Sequence, residues 1–196
     1  MRFIHAHKSI KEMYMKRIAA LFFCFVCASN ALADDYYDTG RIFVGVDVGA
    51  VGLADFSAGI IGGYQYYFTK SYQPNDAFRQ GIRGIVGINW GSYTYDKFNF
   101  DSARYSEVSS GSLYTRVGVD WSVDFNPRNK LVWGALAGLN IGYFKVFTND
   151  SIPRTHRGFN LEGHIGGSAT YEDTHRLELL LGWGYSVLSL RYICMF

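Results

Sequence analysis

Apolar and polar residues alternate at every second position over long stretches of this chain. In GSLYTRVGVDWSVDF (111–125), one set of positions carries Leu, Val, Trp and Phe, and the other carries Ser, Arg, Gly and Asp. A period of two predicts a β-strand with one apolar and one polar face. The alternation breaks at FNPRNK (125–130) and resumes in LVWGALAGLNIGYFK (131–145). We therefore expect two strands joined by a short turn.

The same alternation recurs along the rest of the chain. It predicts strands at 41–50, 58–68, 79–91, 110–125, 131–145, 158–171, from 176 onward, and at 187–196. The apolar positions change from odd to even numbers between Val187 and Leu188, which requires either a tight turn near 183–186 or a bulge. A bulge gives seven strands and a turn gives eight. Eight is favoured, because an even number brings both ends of a barrel to one side.

The direction of the apolar face separates a soluble barrel from a membrane barrel. The polar faces carry many glycines and few long charged side chains, as a narrow interior requires. Aromatic residues cluster near strand ends, where bilayer interfaces place them. The prediction is an all-β protein, a membrane-spanning, antiparallel, up-and-down β-barrel, with the apolar face toward lipid.

The first 33 residues differ from the rest. Lys16 and Arg17 precede the apolar run IAALFFCFVC (18–27), and Ala31 and Ala33 follow it. This layout predicts a secretory signal peptide over 1–33, with Met15 as an alternative first residue. The other interpretation, a membrane anchor, requires about 20 apolar residues. The predicted organisation is therefore signal peptide 1–33, a short segment 34–40, and a barrel over 41–196.

Removing the signal peptide reverses the net charge. The whole chain carries +2, but residues 1–33 contain five of the 19 basic and one of the 17 acidic residues. The remaining 14 basic and 16 acidic residues give −2. We therefore expect no nucleic-acid partner. Cys194 is then the single remaining cysteine, so no intrachain disulfide is expected.

Two Tyr- and Gly-rich stretches and the terminal residue carry a family resemblance. GGYQYYF (62–68), GLNIGYF (138–144) and Phe196 are similar to small outer-membrane β-barrels of the OmpA/OmpX type and to the Helicobacter outer-membrane protein family. The resemblance implies the cell outer membrane of a Gram-negative bacterium, with membrane lipids as surroundings. It also implies that the barrel-assembly machinery reads Phe196. It implies no active site.

Charged residues of both signs fall on the predicted inner face. An eight-stranded barrel is just wide enough for side chains to fill it, so buried charges must pair. This predicts an internal network of ion pairs, with a narrow ion path as the alternative. The predicted lumen residues are Asp47, Arg83, Arg116, Asp120, Asp124, Glu162, His164, Glu178 and Arg191.

A catalytic role and a surface-binding role are the alternatives to a structural one. His164 and Ser168 lie four residues apart on one strand, or roughly 13 Å, which is too far for a nucleophile and its base. His156 has Ser151 and Asp150 nearby in its loop, but nothing in the spacing requires a triad. The prediction is no enzyme, no cofactor and no metal. The alternatives are an outer-membrane lipid-modifying hydrolase and a soluble periplasmic ligand-binding barrel.

An aromatic stretch near the third strand suggests surface contacts. Aromatic residues interleaved with charges suit a glycan or protein ligand, whose identity the sequence does not specify. The alternative is that these positions extend the third and fourth strands and form an aromatic girdle. The residues concerned are Tyr93, Tyr95, Phe98, Phe100 and Tyr105.

Overall fold

The computed structural model describes residues 40–68, 77–99, 104–147 and 157–196. The strands are β1 (Gly40–Ala50), β2 (Phe56–Tyr67), β3 (Phe78–Asn99), β4 (Arg104–Phe125), β5 (Leu131–Phe147), β6 (Arg157–Tyr171), β7 (His175–Trp183) and β8 (Leu188–Met195). Each strand pairs antiparallel with the next, and β8 pairs with β1, so the sheet closes. The prediction of an all-β, eight-stranded, up-and-down barrel is confirmed.

The barrel belongs to a compact unit that covers Tyr37–Met195. The predicted signal peptide (1–33) lies outside the described residues, as does the segment 34–39. Gly40 already belongs to β1. No helix in the described part of the chain is long and apolar enough to cross a membrane.

A turn, and not a bulge, produces the change of parity near Val187. β7 ends at Trp183 and β8 begins at Leu188. The Gly182 amide donates to the Val187 carbonyl at 2.9 Å across the base of the turn. Gly184 adopts a φ of 119°, a conformation that favours glycine. The seven-strand alternative is therefore wrong.

β3 and β4 are longer than the sequence predicted. Each has 22 residues, and they remain paired up to Asn99 and Arg104. Residues 92–99 and 104–109, which lie between the predicted strands 79–91 and 110–125, therefore belong to strands, as the alternative given for the aromatic stretch predicts. On the neighbouring strands, pairing stops at Ser92 and Gly111. Residues 93–99 and 104–110, here called the β3–β4 extension, therefore rise above the barrel wall by roughly 20 Å, at 3.3 Å per residue.

The two ends of the barrel differ. The first residue of β1 and the last of β8 share one end with the tight turns 126–130 and 172–174. Asn126, Glu172 and Asp173 have positive φ in these turns. We call this the turn end. The other end, the hairpin end, carries the β3–β4 extension, the 51–55 loop and the β7–β8 turn.

The polarity of the wall is the reverse of that of a soluble protein. Outward-facing side chains are mostly aliphatic or aromatic and exposed; Leu139, for example, is 56% exposed. Inward-facing positions include arginines, carboxylates and amides that are almost wholly buried. Such a wall buries its charges and offers its apolar surface to the surroundings.

Glycines make room for large side chains along the β4–β5 seam. Directly opposed inward pairs include Arg116 with Gly142 and Asp120 with Gly138. A Cβ atom on Gly138 would overlap the Asp120 carboxylate. Along this seam, the glycines of β5 therefore leave the space that the charged side chains of β4 occupy.

Two apolar clusters also occupy the lumen. One lies on the inner face of β1, β2, β3 and β8, and the other lies toward the hairpin end. The first consists of Phe43, Ile61, Ile85, Ile193 and Met195. The second consists of Ala54, Tyr114 and Tyr185, with Leu53 and Phe144 packed against it.

Candidate functional site: the charged lumen

Strand register creates the first set of ion pairs in the lumen. β3 and β4 place Arg83 directly opposite Asp120, and Arg83 Nη2 lies 2.6 Å from Asp120 Oδ2. β1 and β8 do the same for Asp47 and Arg191, with Nε 2.9 Å from Oδ2. Alternation along each strand therefore brings opposite charges together on neighbouring strands.

A second set of contacts crosses the bore. Arg83 Nη1 reaches Glu178 Oε1 on β7 at 2.7 Å, and Arg83 Nη2 donates to Glu178 Oε2 at 2.9 Å. Arg116 on β4 forms an ion pair with Asp47 on β1. Arg191 Nη1 lies 3.4 Å from Asp120 Oδ2. These contacts tie opposite walls together.

The network continues toward the turn end. Arg176 bridges Glu178 and Asp124, with 2.8 Å between its Nε and Glu178 Oε1 and 2.8 Å between its Nη1 and Asp124 Oδ1. Arg79 then joins Asp124 at 3.1 Å to Asp173 at 2.9 Å in the β6–β7 turn. At the other end, Arg116 Nη1 lies 3.6 Å from Glu162 Oε2. One chain of ion pairs thus runs along the lumen.

The charges of this network balance. Among the described residues, five arginines meet five carboxylates inside the lumen, and each of these ten side chains is at least nine-tenths buried. Asp173, in the β6–β7 turn, is 25% exposed. Burying an unpaired charge costs several kcal/mol, so a bore of this width tolerates charges only in matched sets. The members are Arg79, Arg83, Arg116, Arg176, Arg191, Asp47, Asp120, Asp124, Glu162 and Glu178.

All nine lumen residues named from the sequence face inward. His164, the ninth, places Nε2 3.0 Å from Asp120 Oδ1. Sequence reasoning left out Arg79 and Arg176 as network members. Arg79 shares the parity of Arg83, and Arg176 shares that of Glu178, so the alternation already carried the signal.

The β7–β8 turn places a tyrosine over the hairpin end of the lumen. Tyr185 is 1% exposed, and its ring stacks on Tyr114 with 4.4 Å between centroids. Its hydroxyl lies 2.8 Å from Ser112 Oγ, and its backbone amide donates to Glu162 Oε1 at 2.9 Å. The Ala54 amide donates to its carbonyl at 3.0 Å. Tyr185 thus closes this part of the bore.

His164 and Ser168 are the lumen residues considered from the sequence as candidates for catalysis. His164 Nε2 lies 3.0 Å from Asp120 Oδ1, and Ser168 Oγ has no hydrogen-bond partner among the described residues. Within the described ranges, no group of three or more His, Cys, Asp or Glu side chains is placed to hold a metal. His156, Ser151 and Asp150 lie outside the described residues.

A histidine, a tyrosine and a cysteine meet on the outer wall at the turn end. His175 Nδ1 lies 2.8 Å from Tyr192 Oη and 3.7 Å from Cys194 Sγ. His175 is the first residue of β7 and is part-exposed. β7 and β8 align His175 with Cys194, and this register was not predictable until the turn was known.

The predicted surface aromatics lie in the β3–β4 extension but do not share one face. Tyr93 and Tyr95 are on the face that continues the lumen, with 6.1 Å between ring centroids. Tyr105 lies on the opposite face and is 73% exposed. Phe98 pairs with Tyr105 in the register. Phe100 falls outside the described residues.

Comparisons with known proteins bear on the fold. No protein-family model matches the chain, and no curated protein matches it. Among solved structures, the chain is similar to the outer membrane enzyme PagL, with a TM-score of 0.51 and 14% sequence identity over 78% of this chain and 98% of that chain. The chain has an outer-membrane β-barrel fold.

The chain also matches a second solved structure, the β domain of the Bordetella autotransporter BrkA. The TM-score is 0.31, with 10% identity over 81% of this chain and 99% of that chain. A score of this size supports no conclusion about this chain.

Proposed function

We propose that this chain is an integral outer-membrane β-barrel protein of a Gram-negative bacterium, with a structural or surface-interaction role. Its lumen is closed by ion pairs, and it is not an enzyme. Its partners are membrane lipids and the barrel-assembly machinery that reads Phe196. It belongs with small barrels of the OmpA/OmpX and Helicobacter outer-membrane type.

The reversed polarity of the wall carries this proposal. In water, the exposed Leu, Ile, Val, Trp and Phe side chains of all eight strands would form one continuous apolar surface. In a bilayer the same surface meets hydrocarbon, and closure satisfies every strand edge. A soluble ligand-binding barrel requires the opposite arrangement.

The two ends of the barrel support one orientation. Outer-membrane barrels have short turns on the periplasmic side and longer excursions outside. The turn end therefore faces the periplasm, and the β3–β4 extension points away from the cell. Tyr93, Tyr95 and Tyr105 are then presented to a surface ligand.

The decisive test is whether folding requires an amphiphile. We expect the mature chain, from residue 34, to migrate faster in unheated than in heated detergent gels and to fractionate with outer membranes. A chain that stays monomeric and folded in buffer without detergent contradicts the proposal.

A lipid-modifying hydrolase is the second candidate. Cys194 and His175 place a thiol and an imidazole on the wall that would face lipid, with 3.7 Å between Sγ and Nδ1. We expect no deacylation of lipid A or phospholipid by the folded barrel in detergent. Turnover that Cys194→Ser or His175→Ala abolishes would establish the hydrolase instead, and His164→Ala and His156→Ala test the other histidines.

A further inference from the structure

Two cations lie side by side on the outer wall near the hairpin end. β5 and β6 place Lys145 directly opposite Arg157, and both side chains point outward and are exposed. No other Lys or Arg in the described strands occupies one of the alternate positions whose side chains face outward. On the described part of the wall that would face lipid, the positive charge is therefore concentrated at this pair.

This arrangement is unfavourable by itself. Like charges directly opposite one another on adjacent strands repel. Within the described part of the chain, neither side chain forms an ion pair. The Lys145 ammonium lies over the Phe147 ring, 5.8 Å from its centroid. Phe147 lies further toward the hairpin end, so the ammonium leans away from the apolar band.

The height of the pair on the wall indicates what surrounds it. Tyr143 and Phe159 are the next outward residues toward the middle of the barrel, and their rings meet edge to face with 5.5 Å between centroids. Aromatic rings of this kind occupy the bilayer interface. Lys145 and Arg157 therefore lie just beyond the hydrocarbon, in the headgroup layer.

The chain itself offers no nearby described carboxylate on this face. The outward acidic residues of the β3–β4 extension, Asp96 and Glu107, lie opposite each other in the register. Glu107 lies six residues along β4 from Leu113, the β4 neighbour of Lys145, which is roughly 20 Å. The anion that neutralises the pair must come from outside these strands.

We infer that Lys145 and Arg157 together bind a phosphate group of a lipid headgroup in the leaflet at the hairpin end. A guanidinium binds two phosphate oxygens in parallel, and an ammonium adds a mobile point charge. A phosphate between them replaces repulsion with two charge-assisted contacts. This inference rests on the membrane location proposed above.

Native mass spectrometry of the full barrel in neutral detergent tests the inference. The probe is bis-phosphorylated lipid A, compared with the same lipid after phosphatase treatment. We expect the wild-type barrel to retain the phosphorylated form preferentially. Lys145→Gln with Arg157→Gln should lower its retention by about tenfold, as expected when two cations no longer attract an anionic lipid.

The matched control removes the same charge at the other end. Arg128→Gln with Lys130→Gln lies in the β4–β5 turn and should leave retention unchanged. Equal loss in both double variants, retention without regard to phosphate, or binding of inorganic phosphate in place of the lipid when both are present at equal concentration overturns the inference.

Heat-modifiable migration, measured in parallel, separates the two proposals. A barrel that inserts into bilayers but ignores the lipid phosphate refutes only this site. A chain that does not insert refutes the membrane location on which the site depends.

Discussion

At the scale of single residues, the lumen is organised by arginines that each serve more than one carboxylate. Arg83 contacts Asp120 and Glu178, and all three side chains are at most 1% exposed. Breaking such a pair from one side leaves a buried charge without compensation. The stability of the barrel should therefore depend on individual arginines.

Replacing Arg83 with methionine tests this dependence. The change keeps a long side chain but leaves Asp120 and Glu178 short of a partner. We expect the free energy of unfolding to fall by about 3–5 kcal/mol, measured by urea titration in lipid vesicles. Lys130→Met, which breaks the exposed pair with Glu172, should change it little. Equal effects in both variants would contradict the buried network.

The alternation of inward and outward positions along each strand made most of this network predictable. Once a strand is placed, alternation fixes which side chains face inward, and so Asp47, Arg116 and Arg191 followed directly. The partner of each charge was not predictable, because contacts across the bore depend on closure and shear. The contact between His175 and Cys194 could not be predicted from the sequence for a related reason, because the register of β8 depends on where the preceding turn lies.

At the scale of elements, the β7–β8 turn both reverses the chain and covers the bore. Tyr185 is fixed by stacking on Tyr114, by Ser112 Oγ and by Glu162. A four-residue turn thereby contributes a large aromatic side chain to the lumen. Removing the Tyr185 side chain should open space in the lumen without disturbing strand pairing.

Tyr185→Ala tests whether this tyrosine limits passage of ions. We expect the variant to fold and to show single-channel conductance in planar bilayers above that of the wild type. Leu188→Ala, at the residue that follows the turn and on the outer wall, should resemble the wild type. An unchanged conductance in Tyr185→Ala would assign closure to the ion pairs alone.

The β3–β4 extension should be dispensable for the barrel. Among the described strands, β3 and β4 pair only with each other above Ser92 and Gly111, although Thr94 Oγ1 donates to Asp55 Oδ2 at 2.7 Å. Replacing 93–110 with an Asn-Gly turn suits a two-residue hairpin. We expect heat-modifiable migration to persist and binding to any surface ligand to be lost. Loss of folding would show that the extension supports the wall.

Element lengths were harder to predict than element types. The polar stretch 92–109 resembles a loop in composition, yet Tyr93, Tyr95 and Val108 favour strands, and the two arms find each other across a short connection. β3 and β4 are long because they pair with each other, and the sequence of one strand alone does not reveal this pairing.

At the scale of the whole molecule, the reversed polarity makes the outer wall intolerant of charge. Val119 lies near the middle of the part of β4 that pairs with β5 (111–125), faces outward and is 51% exposed. On a soluble barrel such a position would accept arginine readily. On a barrel in lipid it would not.

Val119→Arg should therefore lower the free energy of unfolding in vesicles by about 2–4 kcal/mol. Ser109→Arg, which has the same outward parity but lies in the β3–β4 extension, serves as the control and should be neutral. A neutral Val119→Arg would mean that this face does not meet hydrocarbon.

The continuous chain of ion pairs has a consequence for assembly. The charged residues come from β1, β3, β4, β6, β7 and β8. In an incomplete sheet, a charge therefore has no counter-ion wherever its partner strand has not yet joined. Until β8 delivers Arg191, for example, Asp47 and Asp120 each lack one of their counter-ions. Intermediates that end early are thereby penalised, and the last strand to dock completes the neutralisation of the interior and the sealing of the wall in one event.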